Sequence, residues 1–153
     1  MQVAQRLNLP VPKTSVWSHS PVVKLPDRKP QKRWLRDVEP DGNCLPRAIS
    51  VAITGSEDSH DILRTKVTQL LRAQGEDSKR MDEMAQSGKW MTEREIKGFA
   101  ELLGVPVYSC AESSPNKWHY YRFASYIDDD DSNGAVYIAN IPTNVHFQVV
   151  IRP

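Results

Sequence analysis

The chain is 153 residues long, with 39% hydrophobic and 25% charged residues and a formal charge of +1. That length suits one compact domain able to bury its own core without metals or disulfides, and no apolar run reaches the roughly 18 residues that a membrane span requires. The small net charge hides an asymmetry: residues 1–33 carry seven Lys/Arg against one acid, while residues 34–153 carry thirteen against eighteen, so a basic leader precedes an acidic body.

The leader holds five of the eleven prolines (Pro10, Pro12, Pro21, Pro26 and Pro30) and shows neither a helical nor a strand period. Residues 1–33 are therefore read as an extended arm or linker. Basic runs of this kind are more often solvated tethers than nucleic-acid sites. The segment also lacks the charged start, apolar middle and small-residue cleavage site of a secretory signal, so the expected setting is cytoplasmic, with the nucleus as the other option.

Residues 34–153 are expected to form the folded domain. After a short lead-in from Trp34 to Glu39, the turn-rich Pro40-Asp41-Gly42-Asn43 precedes an apolar helical stretch that begins at Cys44. Pro46 fits the first turn of that helix, where its missing N–H costs nothing. A second helix is predicted from about His60 to Gln74, with Ile62, Leu63, Val67, Leu70 and Leu71 facing the core. Thr92-Glu93-Arg94-Glu95 matches a capping box and should open a third helix that ends near Gly104. Four strands follow, at Val105–Cys110, Trp118–Phe123, Ala135–Ala139 and Val145–Ile151, all rich in aromatic and β-branched residues. Helices first and a small antiparallel or mixed sheet afterwards predict an α+β domain.

Cys44 and Cys110 are the only cysteines, and neither lies in a zinc-binding spacing, so free thiols and no metal are expected. Cys110 reads as a small buried hydrophobe. The run Asp128 to Asp131 lacks the alternating ligand pattern of a calcium loop and reads as a solvated hairpin tip that could attract a basic surface. Cys44 is different. A cysteine in the first turn of a helix lies in the positive end of the macrodipole, which favours the thiolate. The Gly42-Asn43 pair before it permits a tight turn whose N–H groups can converge on an oxyanion.

The string Asp41-Gly42-Asn43-Cys44-Leu45-Pro46-Arg47-Ala48 resembles the nucleophile motif of the ovarian tumour (OTU) family of cysteine proteases. Residues Trp90 to Leu103, the strand Val105 to Tyr108 and the C-terminal Val145 to Val150 follow in that family's order. The resemblance implies a papain-like OTU fold with a small β-sheet packed between helices. It also implies a cofactor-free deubiquitinase that hydrolyses isopeptide bonds through a Cys44 thioester with His146 as base. The partners it implies are ubiquitin, polyubiquitin chains or a ubiquitin-like modifier, with no membrane or nucleic acid and a monomeric chain. The alternative is an inactive OTU-like module that binds ubiquitin without cutting it.

By the same resemblance Asp41 shapes the oxyanion loop, Trp90 lines the channel for the modifier's tail, and Phe147 and Asn43 contact substrate. Two departures stand out: Pro46 replaces a common aromatic, and Gln148 stands where relatives carry an acid or Asn. The amide of Gln148 shares a strand face with His146 and is an expected orienter. Asn144 is a rival by the same period, and an upstream acid, Asp37 or Glu39, is a further candidate.

Overall fold

The structure, a computed structural model, describes residues 2–10, 25–124, 134–141 and 146–151. In chain order the elements are α1 (Gln2–Arg6), a single 3-10 turn (Lys32–Trp34), β1 (Leu35–Arg36), α2 (Cys44–Thr54), α3 (His60–Ala73), α4 (Ser78–Met84), α5 (Glu93–Leu103), β2 (Val107–Ser114), β3 (Lys117–Phe123), β4 (Val136–Ile141) and β5 (His146–Val150). The strands form one sheet in the order β1-β5-β4-β2-β3. The β2–β4 pair is parallel and the other pairs are antiparallel, so the sheet is mixed.

The helices form where their end signals stand. Thr92 and Glu95 make the reciprocal capping box, and Gly104 closes α5 at φ 69°, a left-handed conformation that costs glycine nothing. Gly55 closes α2 in the same way at φ 84°. The buried stripe of α3 runs through Leu63, Arg64, Val67, Thr68 and Leu71. Ile62, expected in the core, is exposed, because it lies about 100° around the helix from Leu63. The polar Arg64 and Thr68 occupy the buried face, which hydropathy periodicity could not anticipate.

One large apolar cluster joins α1, α2, α3 and α5 to the inner side of the sheet, through Ile49, Ile53, Phe99, Val107, Ile138, Phe147 and others. The outer side carries a smaller cluster that includes Tyr108, Cys110, Tyr137 and Val150, against which Leu25, Leu35 and Trp118 pack. The helices that contact the sheet thus gather on its inner face, and among the described residues the segment from Leu25 to Leu35 lies on the other.

The leader differs from the extended arm expected. Val3 and Ala4 of α1, with Leu9 after it, are buried, and Arg6 donates to the carbonyls of Leu102 and Leu103. Farther along, the Arg28 carbonyl accepts a 3.8 Å contact from the Cys110 thiol, and the Lys29 ammonium lies 5.4 Å from the centre of the Trp118 ring. Five residues are too few to display a helical period, and an isolated helix of that length would be unstable. Packing against the body is what forms it. No helix of the described residues is long and apolar enough to cross a membrane. Asp128 to Asp131 lie outside the described residues.

Candidate active site

The nucleophile loop is built around a close approach of two backbones. A Cβ on Gly42 would lie 1.7 Å from the Gly88 carbonyl oxygen, so only glycine lets the loop before Cys44 seat on the loop before Trp90. Asn43 joins the two loops. Its Oδ1 accepts from the Gly88 N–H at 2.8 Å and from Arg64 at 2.9 Å, and its Nδ2 donates to the Ser87 hydroxyl at 3.2 Å. The side chain expected to touch substrate is thus occupied with bracing.

Arg64 was not foreseen as part of this site. It is only 2% exposed, and its guanidinium also donates to the carbonyls of Gly42 (3.0 Å), Lys89 (2.8 Å) and Met84 (2.7 Å). Nothing in a single sequence separates such an arginine from a solvated one. Asp41 braces the loop from the other side. One of its carboxylate oxygens accepts the Asn43 N–H at 2.9 Å, and Arg47 grips both oxygens, with the shortest contact 2.9 Å. Burial raises the Asp41 carboxyl, but the Arg47 guanidinium and the Asn43 N–H outweigh it and hold the group below the usual range. Asp41 is a structural support for the loop, not a partner of the histidine.

Cys44 opens α2 as expected and is buried. Burial pushes its thiol up, against the N–H groups of Phe147, Leu45 and Cys44 itself, with the Asp41 charge adding to the rise. Burial thus works against the thiolate that the helix position alone favours. The same contact with the Phe147 N–H sets the sulfur beside the residue that follows His146, where α2 packs on β5.

His146 heads β5 and is buried. Its Nε2 lies 2.7 Å from Asp37 Oδ1. An ionised carboxylate only accepts, so Nε2 carries the hydrogen, and in the neutral ring Nδ1 keeps the free lone pair. That Nδ1 is buried and makes no hydrogen bond among the described residues. It is the ring atom available as a base.

The side chain within hydrogen-bond distance of the imidazole is Asp37, one of the two upstream candidates, and not Gln148. Antiparallel pairing of Leu35 with Val150 and Arg36 with Val149 brings the chain after β1 alongside the start of β5. Gln148 does share the histidine's face, yet its Nε2 donates to Asp37 Oδ1 at 3.1 Å and does not accept from the imidazole. The Val38 N–H adds a third contact to the same oxygen at 3.0 Å. Burial raises the Asp37 carboxyl, but hydrogen bonds from His146, Gln148 and Val38 together bring it below the ordinary value. The Asp37 side chain remains 68% exposed, so this pair works in water-screened surroundings.

Phe147, expected to contact substrate, is 5% exposed and belongs to the inner core. Successive strand residues point to opposite faces, so its side chain turns away from that of His146. Trp90, expected to line the channel for the modifier's tail, is 43% exposed beside the Gly88 loop. Asn144 lies outside the described residues, and Glu39 meets Glu57 through its backbone N–H at 2.9 Å and makes no contact with His146.

A family model described as OTU-like cysteine protease matches residues 39–147. Among solved structures, the chain is similar to the OTU domain of OTUD1, at 19% identity and a TM-score of 0.67, covering 75% of this chain and 83% of that one. It also resembles the viral OTU domain protease of Qalyub virus, at 19% identity and a TM-score of 0.59, covering 75% and 81%. A third similar structure is an OTU deubiquitinase from Wolbachia pipientis wMel bound to ubiquitin, at 14% identity and a TM-score of 0.53, covering 76% and 94%. No curated protein matches the chain.

Proposed function

Because this chain belongs to the OTU-like cysteine protease family, we propose that it is a deubiquitinase, a thiol isopeptidase that removes ubiquitin or a ubiquitin-like modifier from lysine side chains. The observation that carries this reading is the His146–Asp37 pair at 2.7 Å, with a buried acceptor nitrogen unused and the Cys44 sulfur beside the adjoining peptide.

In the reaction the Cys44 proton moves to His146 Nδ1 and the sulfur attacks the isopeptide carbonyl carbon. The carbon–nitrogen bond breaks, the proton passes from the imidazolium to the leaving lysine amine, and a thioester to Cys44 remains. His146 then takes a proton from water, whose oxygen attacks the thioester; the carbon–sulfur bond breaks, the imidazolium returns the proton to the Cys44 sulfur, and the modifier's carboxyl group leaves and ionises. Asp37 holds the ring in the tautomer that exposes Nδ1 and stabilises the positive charge the ring acquires in passing.

The reading extends to a cytoplasmic monomer whose Trp90 lines the path of the modifier's tail. Ubiquitin-bound neighbours such as the Wolbachia enzyme support ubiquitin as the ligand class. A ubiquitin probe with an electrophilic C-terminus tests it: wild type is trapped covalently and Cys44→Ala is not. Stable but non-covalent capture by wild type would favour the inactive binding module.

A further inference from the structure

Beside the His146–Asp37 pair, a cavity of about 590 Å³ is lined by Lys29, Lys32 and Leu35 together with Asp37, His146 and Gln148. Its charge is uneven. The Asp37 carboxylate is already engaged by His146, Gln148 and the Val38 N–H. Lys29 and Lys32 are exposed, and neither pairs with a carboxylate among the described residues. The basic wall comes from the leader and not from the body, which carries thirteen basic against eighteen acidic residues.

Position adds to charge. An isopeptide substrate has two arms that depart from the reacting carbonyl in different directions. The amine arm collects its proton from His146, so the polypeptide attached to it departs over the histidine. On the other flank of Cys44 the Gly88 loop is seated on Gly42, with the half-exposed Trp90 beyond it. The two flanks therefore differ, and the cavity belongs to the histidine flank.

We propose that this cavity is the subsite for the leaving polypeptide, and that Lys29 and Lys32 select an acidic stretch around the modified lysine. The inference rests on the deubiquitinase reading and adds the chemistry of the protein being released. Charges at the rim of a site act on encounter and register, so their effect should fade as salt rises. Lys29 lines the cavity, and its ammonium also lies 5.4 Å from the centre of the Trp118 ring.

The test uses the full chain and ubiquitin joined by an isopeptide bond to short peptides whose modified lysine is flanked by glutamates, by serines or by lysines. Ubiquitin carrying a small fluorogenic amine supplies a substrate without a leaving polypeptide. Wild type should cleave the glutamate-flanked conjugate about tenfold faster in kcat/KM than the lysine-flanked one at low salt. The Lys29→Glu/Lys32→Glu double variant should reverse that order, its loss on the glutamate-flanked conjugate exceeding by about tenfold any loss on the fluorogenic substrate. Equal rates on all three conjugates would overturn the proposal, as would equal losses on every substrate, which would mean that the lysines serve only the fold. A double variant that loses affinity for a labelled oligonucleotide without any change in flank preference also overturns it and assigns the basic wall to nucleic acid. Failure of the enzymatic reading looks different, since then no ubiquitin substrate is cleaved and both readings fall together.

Discussion

Replacing Asp37 by alanine isolates the orienter and can be sized from the geometry. The substitution removes the 2.7 Å contact to His146 Nε2 and with it the constraint that exposes Nδ1. A hydrogen bond to a charged group contributes about 1.5–3 kcal/mol when shielded, and the 68% exposure of the Asp37 side chain reduces that. A discounted value of about 1–2 kcal/mol, at roughly 1.4 kcal/mol per factor of ten, corresponds to a loss of about 5- to 30-fold in kcat/KM. That is far below the roughly 10⁴-fold loss seen when a buried triad aspartate is neutralised. Fluorogenic ubiquitin hydrolysis over a pH series measures it, with a thermal melt to show that the fold survives. The sign of the pH effect follows from the lowered Asp37 carboxyl. Its contribution is complete above the ordinary carboxylate range and is lost as the pH falls through the folded value. Wild type and variant should therefore converge toward low pH and differ most near neutrality. A variant within twofold of wild type at neutral pH would refute the assignment, and so would a Gln148→Ala variant more impaired than Asp37→Ala.

Four further outcomes follow from the same geometry. His146→Ala should lose several orders of magnitude in rate, since nucleophile and base act as a unit, and activity within tenfold of wild type would remove it from the mechanism. Gln148→Asp should lower kcat/KM rather than raise it, because a second carboxylate would face Asp37 where a donor now stands. Gly42→Ala should cost about 1–3 kcal/mol in urea denaturation and reduce trapping by the ubiquitin probe, since its Cβ meets backbone and not a movable side chain. Arg64→Met, which removes the donor to the carbonyls of Gly42, Met84 and Lys89 and one of the two donors to Asn43 Oδ1, should lose about 3–5 kcal/mol and roughly 10 °C of melting temperature.

Local signals were legible wherever the chain itself makes the interaction. The turn before Cys44, the proline in its first helical turn, the Thr92–Glu95 capping box and the glycine ends of α2 and α5 each act within a few residues, so the sequence alone determined α2, α3 and α5 to within a residue or two. The residues proposed as nucleophile and base were also singled out locally, because the motif around Cys44 and the residues around His146 are each contiguous. What the chain brings together from afar was decided by the fold. Asp37 and His146 are 109 residues apart and meet because β1 pairs with β5. Period-two reasoning put Gln148 on the histidine's face but could not say that a carboxylate from the chain after β1 would engage both its amide and the ring. Arg64 became the brace of the nucleophile loop only when α3 turned its polar residue inward, and α1 formed because the core accepted Val3, Ala4 and Leu9. Short-range hydrogen bonds and dihedral preferences are written in neighbouring residues. Burial and ion pairing between distant segments depend on how the whole chain closes, and no window of sequence contains them.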